Sequence, residues 1–248
     1  MTASAIHRTD LLPTAMNAGK AAAVRDLLRA WRRACAPVAA DQWTRFFRDG
    51  GFRKNVPAAQ EAAVPGVAVA KAEIGATRLQ MVRYQVVGTL SSFVANRQND
   101  FRDIVEGSSL DAVTKYRLHT INVREAWFDT RAIFTSDGSV IPVAIQRLAR
   151  RIMRHLLQRH RKPSFKRANM VLDHRQATLA DAARASAYPL WLRLGTLETG
   201  RRIDIPLRSY PYFENRKGQR CRTVQVNRGD DGTIQVGVVT DVTAALAE

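Results

Sequence analysis

The chain has 248 residues, 46% of them hydrophobic, so it can bury a sizeable core and is not a disordered tail. It carries 39 Lys and Arg against 22 Asp and Glu, which gives a net charge of +17. No apolar run is long enough for a transmembrane helix, and the N-terminus lacks the pattern of a secretory signal. Cys35 and Cys221 lie far apart without a CxxC pair, which fits a reducing compartment and excludes a complete zinc ribbon within the chain. We therefore predict a cytoplasmic protein.

The first half of the sequence predicts mainly helices. Residues 6–12 predict a short strand that ends at Pro13, and Thr14 is the expected cap of the helix that follows. The predicted buried face of that helix consists of Val24, Leu27, Leu28, Trp31 and Cys35. Residues 41–50 predict a separate short helix, and residues 56–75, with two prolines, predict an irregular connection.

Two further helices are predicted before the basic segment. Residues 77–105 have a helical apolar period that places Leu79, Val82, Val86, Leu90 and Phe93 on one face. A second helix is expected from Leu110 to about Trp127, and residues 136–139 (SDGS) predict a turn.

Positive charge is concentrated after that turn. No acidic residue occurs from Gly138 to Leu172, while nine Lys or Arg lie between Arg147 and Arg167. Residues 144–162 (AIQRLARRIMRHLLQRHRK) predict an amphipathic helix that ends at Pro163, with Ile145, Leu148, Ile152 and Leu156 on its apolar face. A wholly cationic helix face favours a polyanion, and the excess of Arg over Lys favours phosphate, which a guanidinium binds bidentately. A calmodulin-like partner or an anionic membrane surface would give the same pattern, and an arginine-rich genome would raise the Arg count by itself.

The last third of the sequence predicts strands. Alternating apolar residues occur at 169–173, 175–179, 189–197, 201–207, 220–226 and 233–239, and residues 227–232 predict a hairpin loop. Tyr210, Tyr212 and Phe213 could stack on bases or pack in the core. The predicted nucleic-acid contacts are Arg147, Arg150, Arg151, Arg154, Arg161, Lys162, Lys166, Arg167, Arg201, Arg202, Arg208, Arg216, Lys217, Arg220 and Arg222.

Candidate catalytic and metal sites are weak throughout the sequence. His155 and His160 are five residues apart, a poor spacing for shared metal ligation on one helix face. Asp100, Asp103 and Glu106 are expected to pair with neighbouring arginines. Asp241 ends an apolar strand, as the first ligand of an RNase H-like nuclease does, but no further carboxylate follows except the terminal Glu248. We expect no catalytic residue, no metal, no cofactor and no enzyme activity.

Three stretches resemble the N-terminal part of TnpB (OrfB) transposon-encoded RNA-guided nucleases and of compact type V CRISPR effectors. They are "HRTDLLPT", "LQMVRYQVVGTLSSFVANRQNDF", and "WLRLGTLETGRRIDIPLRSYPYF" with "TVQVNRGDDGTIQVGVV". In that resemblance the helices form a recognition lobe and the terminal strands form a wedge domain. The implied partners are a structured guide RNA and a DNA target duplex, not a membrane. The family's RuvC carboxylates and zinc ribbon are missing, which implies a truncated or degenerate copy, or a nuclease core encoded in a downstream frame.

The predicted fold is α+β, with a helical bundle inserted into a small antiparallel β-barrel. Residues 1–13 are expected to add a strand to the β-domain, residues 14–167 to form the recognition-lobe-like domain, and residues 168–248 to form the wedge-like domain. Two alternatives stay open: a stand-alone RNA- or DNA-binding regulator, and a cationic adaptor for an acidic protein or a membrane surface.

Overall fold

A computed structural model describes residues 5–183, 186–229 and 231–246 of the chain. The helices are α1 (Ala18–Asp49), α2 (Ala58–Ala62), α3 (Pro65–Ile74), α4 (Ala76–Glu106), α5 (Ala112–Val123), α6 (Val143–Arg159) and α7 (Pro211–Glu214). The strands are β1 (His7–Pro13), β2 (Met170–Leu172), β3 (Ala177–Asp181), β4 (Leu190–Gly195), β5 (Arg202–Leu207), β6 (Gln219–Arg228) and β7 (Ile234–Asp241). The predicted α+β class is confirmed. Within the described ranges, no helix has both the length and the apolar character needed to cross a lipid bilayer.

All strand pairs are antiparallel and form two sheets. One sheet has the order β1-β7-β6-β2, and the other has the order β3-β4-β5. β1 pairs with β7 over its whole length, from His7 opposite Asp241 to Pro13 opposite Gln235. An isolated bridge between Thr14 and Leu207 joins the end of β1 to β5. The four-stranded sheet therefore pairs a strand near the start of the described chain with one near its end.

The chain divides into two compact units that alternate along the sequence. The first contains the residues up to Pro37, Ala59–Arg83, and the residues from Phe165 onward. The second contains Val38–Ala58 and Tyr84–Ser164. Helices α1 and α4 each contribute their first part to the first unit and their second part to the second unit. The predicted domain boundaries after residues 13 and 167 stay a prediction.

The first unit buries one face of α1 and the inner faces of both sheets. The predicted face of α1, from Val24 to Cys35, is almost completely buried, which confirms the helical period. This burial raises the pKa of the Cys35 thiol to about 12. The thiol is therefore neutral at physiological pH and packs as a small apolar side chain. In β4 the alternation of buried Leu190, Leu192 and Leu194 with more exposed residues defines the inner and outer faces of the three-stranded sheet.

The second unit has an aromatic core. Phe46 stacks on Phe52 with ring centroids 4.8 Å apart, and Phe128 meets Phe46 edge-on at 5.5 Å. Trp127 is 1% exposed, and its indole N–H donates to the side-chain oxygen of Asn122. Phe101 of α4 packs in the same cluster. These contacts fix the loop after α5, against which α6 is packed.

Two predictions about α1 are wrong. The predicted break before residue 41 does not occur, because α1 continues through Pro37 to Asp49. Pro37 removes one helical hydrogen bond, but Cys35 and Val38 beside it are buried, so tertiary packing holds the helix together. The predicted cap is also wrong: Asn17 accepts from the Lys20 amide at 2.9 Å, whereas the Thr14 hydroxyl donates to the carbonyl of Ile234.

The predicted irregular connection at residues 56–75 is helical instead. Pro65 begins α3, at a position where the missing N–H costs no helical hydrogen bond. Gly75 ends it with a φ of 82°, a conformation that favours glycine. Pro65, one of the two prolines that suggested a loop, is therefore the start of a helix. The long helix predicted next agrees with α4, and the predicted SDGS turn is confirmed by Gly138 at φ 79°.

Candidate nucleic-acid interface

Helix α6 presents a buried face and a cationic face. Its buried residues are Ala149, Met153, Leu156 and Leu157, and the predicted Ile145, Leu148 and Ile152 lie beside them, partly buried. The apolar stripe is therefore centred about one position away from the predicted one. The helix ends when His160 adopts an extended conformation, three residues before Pro163.

Arg150 lies at the edge of the buried face and points inward. Its Nη2 donates to the carbonyl of Asp129 at 3.0 Å, and its Nε approaches the carbonyl of Trp127 at 3.4 Å. These carbonyls belong to the loop after α5. Arg150 therefore links that loop to α6 by hydrogen bonds, a structural role that the sequence did not predict.

Arg147, Arg151 and Arg154 lie on the same stripe of the helix as Arg150, but their side chains point outward. All three are exposed, and they line a surface depression of about 600 Å³ together with Arg150, His155 and Gln158. No carboxylate lines this depression. Arg147 and Arg151 make no ion pair with any described residue, and Arg154 lies 5.9 Å from the Phe128 ring centre. The guanidinium groups here are thus presented to solvent without a counter-charge.

The arginines on α6 repel one another. Arg147 has like charges at positions i+3 and i+4, and Arg154 has them at i−3 and i−4. Each such pair destabilises an exposed helix by roughly 0.2–0.5 kcal/mol. A polyanion laid along this face would remove the repulsion and gain a charge-assisted hydrogen bond at each guanidinium.

The basic residues that follow α6 are not equivalent. Arg161 is exposed and has no side-chain partner among the described residues, whereas the Lys162 ammonium lies 5.2 Å from the Trp43 ring centre. Lys166 and Arg167 are exposed and belong to the first unit. The predicted continuous patch from residue 147 to residue 167 thus spans two units, and the structure groups Arg147, Arg151 and Arg154 directly.

Most candidates in the β-rich segment are exposed, and some already have carboxylate partners. Arg201 pairs with Glu198 at 2.7 Å, and Arg220 pairs with Asp181 at 2.8 Å, both at exposed positions where such pairs contribute little stability. The exposed candidates without a side-chain partner in the described ranges are Arg202, Arg208, Lys217 and Arg222.

Arg216 is held inside the protein. Its Nη2 donates to Asp10 Oδ1 at 2.8 Å, and its Nε lies 2.6 Å from Asp10 Oδ2. Asp10 is 5% exposed and also accepts from the Tyr210 hydroxyl, and this bonding raises the pKa of Arg216. Phe213 is buried, whereas Tyr212 is 63% exposed and its ring lies 4.7 Å from the Arg216 guanidinium carbon. Of the three aromatic candidates, Tyr212 is the one that presents a ring to solvent.

A second group of arginines contains the predicted Arg167 together with Arg32 and Arg228, which the sequence did not single out. Arg32 of α1 donates from Nε to the carbonyl of Ala168, next to Arg167. β2 and β6 pair with Met170 opposite Val226, so the same register brings Arg228 near this point. Burial lowers the pKa of Arg32, and the charges of Arg228 and Arg167 lower it further. The three residues lie in different predicted elements, so only the strand register could have linked them.

The acidic candidates form local contacts. Asp100 pairs with Arg97 and lies 3.5 Å from His160, and Glu106 contacts His119 at 2.8 Å. Asp241 accepts from the amide and the hydroxyl of Thr243, which holds the pKa of Asp241 below its ordinary value. In the part of the chain that the structure describes, no group of three His, Cys, Asp or Glu side chains is placed to hold a metal ion.

Comparison with known proteins does not extend this picture. No protein-family model matches the chain, and no curated protein gives a significant match.

Proposed function

We propose that this chain binds structured RNA through the phosphate backbone, with the exposed face of α6 as a principal contact. The observation that carries the proposal is the depression lined by Arg147, Arg151 and Arg154, where no carboxylate offsets the guanidinium groups. Guanidinium groups suit phosphate because their planar donors match two phosphate oxygens at once. Nucleic acid is favoured over an acidic protein because the excess of positive charge extends over the whole chain, at +17.

The more specific proposal is a role as the nucleic-acid-binding lobe of a TnpB-like RNA-guided system. There the chain would hold the guide RNA scaffold and the backbone of the guide–target duplex, while base pairing selects the DNA. A wedge-like barrel with an inserted helical bundle is part of this proposal. It is supported by the Thr14–Leu207 bridge between the sheets and by the Arg220–Asp181 pair, which links β6 to β3. Any nuclease core would be a separate polypeptide partner.

Salt titration of RNA binding tests the phosphate contacts. With about six contacts, the affinity for a structured RNA falls roughly a thousandfold between about 50 and 200 mM salt, because each neutralised phosphate releases counterions. Replacing Arg147, Arg151 and Arg154 together with Gln lowers the affinity and reduces the slope of log affinity against log salt by about 2–3. Fluorescence anisotropy with a labelled RNA hairpin measures both quantities.

The control removes the same charge from arginines that already have partners. Arg29, Arg33 and Arg48 on α1 are exposed and pair with Asp26, Glu73 and Asp49. Their triple replacement with Gln should change the slope by less than the α6 variant does. Equal effects of the two triple variants would contradict a contact at α6 and indicate a diffuse charge effect.

The proposal includes binding without cleavage. A two-metal nuclease site needs several carboxylates around two cations about 4 Å apart. Asp241 instead accepts from its own neighbour Thr243, and the acids near Arg97 and Arg102 are paired. Purified protein should leave labelled RNA and DNA intact in Mg²⁺ or Mn²⁺ under conditions where it binds. Cleavage that copurifies with the protein and disappears in Asp241→Ala would refute this.

A further inference from the structure

A cleft of about 740 Å³ lies over the outer face of the sheet β3-β4-β5. Its floor includes Trp191 and Arg193 of β4, with Arg202 and Asp204 of β5 on one side. These residues alternate with the buried positions of their strands, so they face away from the core. Trp191 was not among the residues that the sequence singled out.

The indole of Trp191 offers a flat apolar surface. Its N–H already donates to the carbonyl of Tyr188 at 3.1 Å, and the Tyr188 ring meets it edge-on at 6.4 Å. On β3, the residue opposite Trp191 is Ala180, whose single methyl group leaves space beside the indole. Because the polar group is satisfied, the half-buried ring is suited to a ligand that stacks rather than one that accepts a hydrogen bond.

The polar groups around Trp191 include both donors and acceptors. Arg193 and Asp204 form an exposed pair at 2.8 Å, while Arg202 has no side-chain partner among the described residues. Asp181 at the rim pairs with Arg220. The cleft lining therefore carries two arginines and two aspartates, in contrast to the arginine face of α6. A phosphate backbone alone would not select this neutral cleft.

We propose that this cleft binds one unpaired nucleotide of the RNA, with its base stacked on Trp191 and its phosphate on Arg202. A base has an apolar face for the indole and edge groups that can meet an arginine or a carboxylate, and every base can stack in this way. A nucleotide inside a duplex has no free face to offer. This inference rests on the proposed RNA binding, but it assigns a different contact with a different salt dependence.

The test compares two labelled RNA hairpins that share one duplex, of which one carries a short unpaired overhang. Wild-type protein should bind the overhang RNA more tightly. Most of the preference should persist at high salt, because stacking on Trp191, unlike the phosphate contact of Arg202, does not release counterions. Trp191→Ala should reduce the preference roughly tenfold, while Trp191→Phe should keep most of it. Arg202→Gln, at an exposed position, should reduce it less. Tyr116→Ala, an exposed aromatic substitution in the other unit, should leave it unchanged.

Tryptophan fluorescence gives a second readout. An added single-stranded oligonucleotide should quench the fluorescence of Trp191. Trp31 and Trp127 are 0% and 1% exposed, and the partly buried Trp43 is packed against Phe46, Phe47 and the Lys162 ammonium, so these three should be quenched less. The quenching should be lost in Trp191→Phe, with circular dichroism checking that each variant is folded.

Several results separate this inference from the proposed function. Salt-dependent hairpin binding with no preference for the overhang would overturn the cleft assignment and leave the α6 contact intact. Quenching by a single-stranded oligonucleotide without hairpin binding would support the cleft and refute the α6 proposal. The same preference in Trp191→Ala as in wild type, or quenching that persists in Trp191→Phe, would place the unpaired nucleotide elsewhere. If neither RNA nor DNA oligonucleotides bind, both proposals fail.

Discussion

Two neighbouring arginines on α6 should behave in opposite ways when each is replaced with Gln. Arg150 donates to the carbonyls of Asp129 and Trp127, whereas Arg151 is exposed and has no side-chain partner among the described residues. The substitutions are chemically identical and adjacent in sequence. Any difference in their effects therefore reports the direction in which each side chain points.

The expected loss for Arg150→Gln follows from its two contacts. A hydrogen bond from a charged group contributes about 1.5–3 kcal/mol, and the half-buried position and the long 3.4 Å contact place this case near the lower end. Removing the repulsion with Arg147 and Arg154 returns roughly 0.2–0.5 kcal/mol for each pair. We expect a net destabilisation of about 1 kcal/mol, or a lowering of Tm by about 2–4 °C. Arg151→Gln should be neutral or slightly stabilising.

RNA binding should show the reverse order. Arg151→Gln removes one exposed phosphate contact and should reduce the salt slope by about 1, whereas Arg150→Gln should change it less. Urea unfolding and anisotropy on the same preparations measure the two effects. Greater destabilisation by Arg151→Gln than by Arg150→Gln would refute the assignment of inward and outward faces on α6.

Two further predictions concern stability. Arg83 is 2% exposed and bonds to Glu61, which also binds Lys71 at 3.0 Å, so Arg83→Met should cost about 3 kcal/mol in urea unfolding. The double variant Arg83→Met/Glu61→Gln should recover part of this loss. No recovery would show that the cost comes from packing rather than from the loss of one of the two charge partners of Glu61. Hydrogen bonds from Arg131 lower the pKa of Asp129 to about 2, so this carboxylate stabilises the fold above about pH 4, and the stabilisation is lost as the pH falls towards 2. Between pH 5 and 2, the free energy of unfolding should therefore decrease less for Asp129→Asn than for wild type. Equal decreases would contradict this role of the Asp129–Arg131 pair.

Local patterns in the sequence were sufficient for much of the secondary structure. The alternation in β4 and the helical period on α1 and α4 depend on near neighbours in the chain. β4 and α4 lie where their patterns predicted them, whereas α1 continues through the predicted break before residue 41. Prolines were harder to interpret because their meaning depends on position. Pro65 starts a helix, whereas Pro37 lies inside one. The helix stays continuous at Pro37 because the residues around it are buried.

The individual roles of the arginines could not be predicted from composition. Arg216 and Arg222 are close in sequence, yet Arg216 is bonded to Asp10 while Arg222 is exposed without a side-chain partner in the described ranges. Asp10 is more than 200 positions away from Arg216, and the pairing of β1 with β7 brings it into the same sheet system. Charge density along the sequence indicated a polyanion, but long-range pairing determines which guanidinium groups are free to bind it.

The two proposed contacts would contribute different things to RNA binding. The face of α6 offers positive charge without aromatic rings in its depression, so it would hold any phosphate backbone and lose affinity as salt rises. The cleft at Trp191 offers a ring with balanced charges, so it would discriminate unpaired from paired nucleotides with little dependence on salt. An RNA that combines a duplex with an unpaired segment could use both contacts, whereas a plain duplex could use only the first. Structured RNA with single-stranded regions is therefore the ligand class that this distribution of side chains favours.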